Sequence, residues 1–426
     1  MSPAFEIKGW CPSTHRPMES GDGLLIRAKS KESALTPAQL RAVAEIATDC
    51  GNGLVDLTQR AQLQLRGLRA ETLEDARRRL QKHELYFPAQ GSRVDILSGG
   101  FHGKSAPAAF DVNALVAEFR LLEERDAALR GVPPKFLISL DAAGGALADA
   151  QADIRIEAID ATRAAICVAG APGFGAVVPA EKVAATTTAL MRAFMKLRAD
   201  WPAELRRMRR VVGEHGLDSL LREAGVAMQP YEWRAPISAH AVLGVKQQES
   251  SISVGVAAPC GRWRARDLVA LAELAELHGC DLLTPTHWRV FIVPADSLEA
   301  AQRIIDGARA LDLIISGSDP RLSVVACPGA PECSQGRGPT RAALARLAPL
   351  AQKLAGEDGV GLHISGCAKG CAHPGAAPVT LIANGERFNL VDRGKAGDAP
   401  RLEGLDIDAV ESALARRAEE KICPTH

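Results

Sequence analysis

Two widely separated stretches read as copies of one folding unit, and this repeat limits the possible architectures more than any other feature. The first, GDGLLIRAKSKESALTPAQLRAVAEIATDCGNGLVDLTQRAQLQLRGLRAETLEDARRRL, runs from Gly21 to Leu80. The second, SSISVGVAAPCGRWRARDLVALAELAELHGCDLLTPTHWRVFIVPADSLEAAQRII, runs from Ser250 to Ile305. Each opens on an alternating strand, Leu24–Arg27 or Ile252–Val256. A helix follows, in which LRAVAEIA from Leu40 matches the apolar pattern of LVALAELA from Leu268. Gly51 and Gly279 then stop the helices at corresponding places. A second strand comes next, VDLTQRAQLQLRG against LLTPTHWRVFIV, and a second helix after TLEDA or SLEAA. Such a repeated unit implies two pseudosymmetric half-domains, which commonly bury a ligand at their shared interface.

Each copy is followed by a different α/β segment. After the first, strands are expected near Asp153–Ile159 and Ala164–Val168, with a long helix from about Pro179 to Leu197. After the second, a helix is expected at Arg341–Leu354 and strands at Val360–Ile364 and Val379–Ala383. Gly99–Pro107 and Gln229–Pro236 read as linkers. The domain boundaries expected from this order are 15–82, 90–228, 240–312 and 320–426.

Charge excludes some functions. Lysine plus arginine balances aspartate plus glutamate, 51 against 51, so nothing draws the chain in bulk to nucleic acid or an anionic membrane. Aromatics, at 4%, are too few for broad base stacking. No apolar run is long enough to span a bilayer and the N-terminus lacks the pattern of a secretion signal, so a cytoplasmic location with reduced thiols is expected.

Those thiols include two tight pairs, Cys327 with Cys333 in ACPGAPECSQG and Cys367 with Cys371 in SGCAKGC. Four thiolates complete either an iron–sulfur cluster or a zinc site. Zinc pairs usually stand two to four residues apart, which suits the second pair better than the first. Gly329, Gly366 and Gly370 favour a cluster, because they let backbone N–H groups approach the sulfurs. Cys50, Cys167 and Cys280 read as buried apolar residues.

In LTQRAQLQLRGL, the residues Arg60, Gln62, Gln64 and Arg66 alternate, so one strand would carry all four on a single face. That face is either solvated or a floor for carboxylates, joined by Lys135, Arg289, Arg262 and Arg264. Of the ten histidines, none forms an HxxxH or HExxH pair; His15, His363 and His373 are candidate iron ligands by position.

Cys-x5-Cys, a gap of 33 residues and Cys-x3-Cys, on top of a duplicated half-domain, resemble the sirohaem-dependent sulfite and nitrite reductases over nearly the whole chain. The resemblance implies an α+β protein: two pseudosymmetric ferredoxin-like half-domains combined with two sulfite/nitrite-reductase-type α/β domains, the second carrying an iron–sulfur cluster. It implies that Cys327, Cys333, Cys367 and Cys371 hold a 4Fe-4S cluster, with Cys371 as its bridge to a tetrapyrrole iron. Thr58, Arg60 and Gln64 match the family's TxRQxxQ, whose arginine lies over the tetrapyrrole. Three departures stand out. PPKFL keeps Lys135 but has Leu137 where a second anion-binding lysine stands; Ala61 follows Arg60; and SGCAKGC lacks the usual proline and asparagine. A six-electron reduction of a small anion needs concentrated positive charge, which is trimmed here.

The phrases GWCPSTHRPMESGDGLLIR, GNGLVDLTQRAQLQLRGL and PPKFLISLDAAGG resemble a branch acting in aerobic cobalamin synthesis. The branch implies an O2-dependent monooxygenase that hydroxylates precorrin-3A with lactone formation. Its tetrapyrrole is the substrate, bound by Arg60, Gln64, Arg66, Lys135 and Arg289. Its cofactors would be the 4Fe-4S cluster and a mononuclear non-haem iron. An NADH-linked reductase or ferredoxin-like protein would donate electrons. The alternative is a sirohaem-dependent assimilatory sulfite or nitrite reductase.

Overall fold

The structure is a computed structural model and describes residues 11–30, 34–85, 94–99, 111–142, 147–148, 150–248 and 251–422. Most of the first expected linker, 100–107, lies outside the described residues.

The two repeats fold alike. The first contributes the strands Met18–Ser20, Gly23–Ala28, Leu54–Leu57 and Leu63–Leu68, with helices Pro37–Cys50 and Ala70–Lys82. The second contributes Gly244–Gln248, Ser251–Ala257, Thr284–Pro285 and Val290–Ala295, with helices Ala265–Leu277 and Leu298–Ala310. In both sheets the last of these strands lies between the second and the third, giving the same order. Local chemistry starts the first helix: the Thr36 side chain accepts from the Gln39 N–H, Gln39 reaches back to the Thr36 N–H, and Pro37 opens the first turn. The two glycines end their helices by different means. A Cβ on Gly51 would meet the Arg66 carbonyl at 2.3 Å, whereas Gly279 takes the left-handed region, φ 68°.

The halves exchange strands reciprocally. Leu35, just before the first helix of one half, bridges Leu283 of the other. Arg262–Arg264, just before the matching helix of the second half, pairs antiparallel with Leu54–Asp56 of the first. One core results, in which Ile46, Leu65, Trp263, Leu271 and Phe291 are fully buried together. Each such side chain contributes about 1.5–3 kcal/mol over its exposed state.

The intervening segments also share a plan. In the first, Asp95–Gly99, Leu137–Asp141 and Ile154–Ala158 run parallel, and Arg163–Val168 and Phe174–Pro179 continue antiparallel. In the second, Val324–Ala326, Leu362–Ser365 and Ala377–Asn384 are parallel, followed by antiparallel Arg387–Gly394 and Leu402–Leu405. The helices Val183–Leu197 and Leu344–Leu354 come close to the expected spans. Among the described residues no helix is long and apolar enough to cross a membrane.

Candidate functional site

Both cysteine pairs leave the carboxyl ends of neighbouring parallel strands, where open α/β sheets place their ligands. Ala326 stands opposite Ile364, so the two strands end together and release their loops side by side. The Cys327 N–H donates to the Ile364 carbonyl at 3.2 Å, and the Gly366 N–H donates to Cys327 Sγ at 3.1 Å. A Cβ on Gly366 would meet the Cα atoms of Gly329 and Gly336 at 3.1 and 3.2 Å, so the loops pack backbone against backbone. Burial pushes the Cys327 thiol up; the N–H groups of Gly366 and Gly329 oppose this, and Cys333 and Cys367 add to it. Cys371, the most exposed of the four, is also pushed up by the protein around it, against Lys369 and with the other three thiols. Thiols that hinder one another's ionisation suit a cationic partner. Among the described residues, however, no three His, Cys, Asp or Glu side chains stand close enough to hold a single metal ion.

His363 faces its ring toward that of His373, 5.6 Å away between centroids. It is fully buried, with neither ring nitrogen partnered among the described residues; burial, then His373, lowers its pKa to about 4. The structure thus pairs two of the three expected iron-ligand histidines. His15 instead gives its carbonyl to Arg77, on the helix Ala70–Lys82.

The expected four-residue anion face is divided. Gln64 and Arg66 lie on the strand Leu63–Leu68, but Arg60 sits in the turn before it, where Ala61 adopts φ 53°. Strand periodicity therefore does not extend to Arg60. Gln64 accepts from Arg27 Nε at 3.1 Å. Arg66, only 2% exposed, donates to both Asp22 oxygens at 2.8 and 2.9 Å, to Asp56 at 3.2 Å and to the Glu332 carbonyl at 2.8 Å. It is a tie between the first half and the cysteine loop, with its donors already engaged. Arg262 reinforces that tie through Asp56 at 2.8 Å and Glu332 at 2.5 Å. Lys135 is exposed, and its carbonyl accepts from Arg60 at 2.7 Å.

A cleft of about 870 Å³ lies where the parts meet, within the size range of small-molecule sites. The first half contributes Gln59 and Arg60, the second His287, Trp288 and Arg289, and the cysteine loop Ala372 and His373. Leu137 lies on its wall, so an apolar group occupies the side from which the resemblance expects a second lysine. Sequence reasoning missed His287 and His240, which also line the cleft. Aligning THWR with the TQRA of the first repeat marks His287; the isolated His240 carries no comparable signal.

Arg60 is held by Asp95, 2.9 Å away, which also pairs with Lys29 at 2.9 Å. Burial opposes ionisation of Asp95, but Lys29 and Arg60 outweigh it and hold its pKa down to about 2. Arg60→Ala is expected to cost about 1–3 kcal/mol at neutral pH while Lys29 keeps Asp95 charged. Because the folded pKa lies below the unfolded value of about 3.9, this contribution is complete above that value and is lost as pH falls toward 2. Urea midpoints of the two proteins should converge over that window; a gap that persists at its acid end refutes the pairing.

Residues 16–83 match the nitrite/sulfite reductase ferredoxin-like half domain. A precorrin-3B synthase of Sinorhizobium sp is 28% identical over 96% of this chain and 88% of its own length. An assimilatory ferredoxin-dependent nitrite reductase of Haloferax mediterranei is 26% identical, over 93% of this chain and 78% of its own. The solved structure of the Mycobacterium tuberculosis NirA protein superposes with a TM-score of 0.70, covering 93% of this chain and 80% of that one at 20% identity, which shows a shared fold. By sequence and fold together, the chain resembles the sulfite and nitrite reductase family and, with it, precorrin-3B synthase.

Proposed function

We propose that the chain is an O2-dependent monooxygenase of the precorrin-3B synthase type, with a tetrapyrrole as substrate in the cleft and an iron–sulfur cluster on Cys327, Cys333, Cys367 and Cys371. The supporting observation is the composition of the cleft: Arg289 and Arg60 on opposing half-domains, beside the cysteine loop, with Leu137 on the wall, Lys135 outside the lining, and the other lining arginines, Arg207 and Arg321, already paired with Asp153 and Asp319. That arrangement suits a large acidic ring better than a small oxyanion, which needs clustered cations. The division into units near 15–82, 90–228, 240–312 and 320–426 belongs to the same proposal, as does the exclusion of nucleic acid and membrane as partners.

The donor set suits a cluster: Cys327, Cys333, Cys367 and Cys371, on two loops that pack against each other, would hold it. When bound, the cluster supplies single electrons. The chain's own residues bind and orient. Guanidiniums on both half-domains line the wall that would face the ligand's acid groups, Trp288 and Leu137 exclude water, and the walls together hold one ring position toward the cysteine loop. Overall, one oxygen atom of O2 enters the macrocycle, and the other leaves as water with two electrons and two protons. The electrons come from a ferredoxin-like or NADH-linked donor. Hydroxylation of precorrin-3A closes to the lactone. A second iron is not carried into this reading, because His363 and His373 lack a third partner among the described residues.

Protein purified anaerobically is expected to show cluster absorption without a haem band and to convert precorrin-3A only when O2 and a donor are both supplied. A sirohaem Soret band, with turnover of sulfite or nitrite, would replace this reading with the reductase alternative.

A further inference from the structure

The repeat extends to the turns that face the cleft. In the first half the Thr58 N–H donates to the Gln62 carbonyl at 3.0 Å, the Ala61 N–H to the Thr58 carbonyl at 2.9 Å, and the Gln62 N–H to Thr58 Oγ1 at 3.2 Å. In the second half, Thr286 N–H meets the Val290 carbonyl at 2.9 Å, Arg289 N–H the Thr286 carbonyl at 3.0 Å, and Val290 N–H Thr286 Oγ1 at 3.3 Å. The left-handed residue falls at the same place in each, Ala61 with φ 53° and Arg289 with φ 64°. Structurally, then, Arg60 corresponds to Trp288 and Ala61 to Arg289.

This correspondence separates the two arginines. Arg60 is already neutralised by Asp95. The Arg289 guanidinium has no carboxylate partner among the described residues; it makes one long bond there, from Nη1 to the Cys260 carbonyl at 3.5 Å. A half-buried guanidinium that no carboxylate reaches by a direct bond is costly, and so is a left-handed arginine. The surroundings nevertheless hold it in place. A Cβ on Gly261 would meet Arg289 Cδ at 2.6 Å and its Cβ at 3.0 Å, so the missing side chain at Gly261 is the slot in which the arginine stem lies. Beside it Trp288 lines the cleft, its ring 4.4 Å from that of His287.

We infer that the turn Thr286–Val290 is the carboxylate-recognition element of the cleft, with Arg289 taking an acid side chain of a planar ligand and Trp288 bearing on its ring. The inference rests on the proposed tetrapyrrole site and adds which half supplies the vacant charge. Arg60 is then a positioning residue, and the asymmetry between the two turns orients an otherwise pseudosymmetric site.

The test is equilibrium binding of uroporphyrin, a planar octacarboxylate, to the full chain at two salt concentrations. Arg289→Gln is expected to weaken binding about tenfold and to flatten its salt dependence. Arg289→Lys, which keeps the charge but loses the fork, is expected to fall between. Arg393→Gln is the matched control: Arg393 is also left-handed, with φ 46°, but is exposed and outside this cleft, so binding should stay as in the parent. Parent-like binding by Arg289→Gln overturns the inference and leaves the tetrapyrrole reading standing. Failure of the parent to bind uroporphyrin overturns both. Should Arg289→Gln fold poorly, parent-like affinity and salt dependence in Arg289→Lys overturn the assignment of a bidentate carboxylate contact.

Discussion

Serine at any one of Cys327, Cys333, Cys367 or Cys371 is expected to abolish cluster content and turnover together, while the chain still folds. The size of the effect follows from ligand chemistry. A thiolate is a soft, readily ionised ligand, whereas a serine hydroxyl stays protonated at neutral pH and presents a hard neutral oxygen. The loops that carry the four are fixed by backbone bonds independent of any metal, among them Cys333 N–H to the Gly329 carbonyl at 2.7 Å and Arg337 N–H to the Gly366 carbonyl at 2.8 Å. Loss of one thiol should therefore remove the cluster without unravelling the strands beneath. Cys280→Ser is the natural comparison. Its thiol lies in the shared core of the half-domains, where it meets the Leu282 carbonyl at 3.2 Å and burial pushes its pKa up to about 11. Iron and acid-labile sulfide counts on anaerobic protein decide the matter. Full counts in all four serine variants would refute the assignment, and loss in Cys280→Ser would mean that the counts report folding instead.

The sequence patterns were legible where they are local and periodic. The helix at Pro37–Cys50 and its counterpart at Ala265–Leu277 carry matching apolar stripes within a few residues, so their equivalence could be read directly. The exchange of Leu35 with Leu283, and of Arg262–Arg264 with Leu54–Asp56, could not, because no period encodes which distant edge a strand segment meets. The same limit governs charge. Alternation places Gln64 and Arg66 on one face, but it does not reveal that Asp22, Asp56 and Glu332 converge on that face to engage Arg66 and its neighbours. Arg60 eluded the strand pattern for a different reason. The left-handed residue after it is an alanine, so no glycine marks the turn.

Asp56→Ala is expected to be the most destabilising single change outside the apolar core, by about 3–5 kcal/mol, because it leaves buried guanidiniums short of a counter-charge. Asp56 meets Arg262 at 2.8 Å, Arg66 at 3.2 Å and Arg341 at 3.5 Å. Arg66 would retain Asp22, and Arg262 would retain Glu332; Arg341 would keep no carboxylate among the described residues. Burial works against the Asp56 charge, yet Arg262 and Arg341, with the bonds from Arg262 and the charge of Arg66, hold its pKa down to about 2. Since that value lies below the unfolded one of about 3.9, the stabilisation is complete at neutral pH and fades as pH drops from there toward 2. Asp56→Asn, which keeps the shape and loses the charge, should therefore show a large deficit in urea midpoint at neutral pH that narrows across this acid window. The tie from Arg262 and Arg66 to Glu332 sits one residue before Cys333, so the same variant should also let the first cysteine loop exchange its amide hydrogens faster than the parent. A deficit below about 1 kcal/mol, or one that does not change with pH, would show that the arginines are held by their other contacts and that Asp56 is not their common anchor.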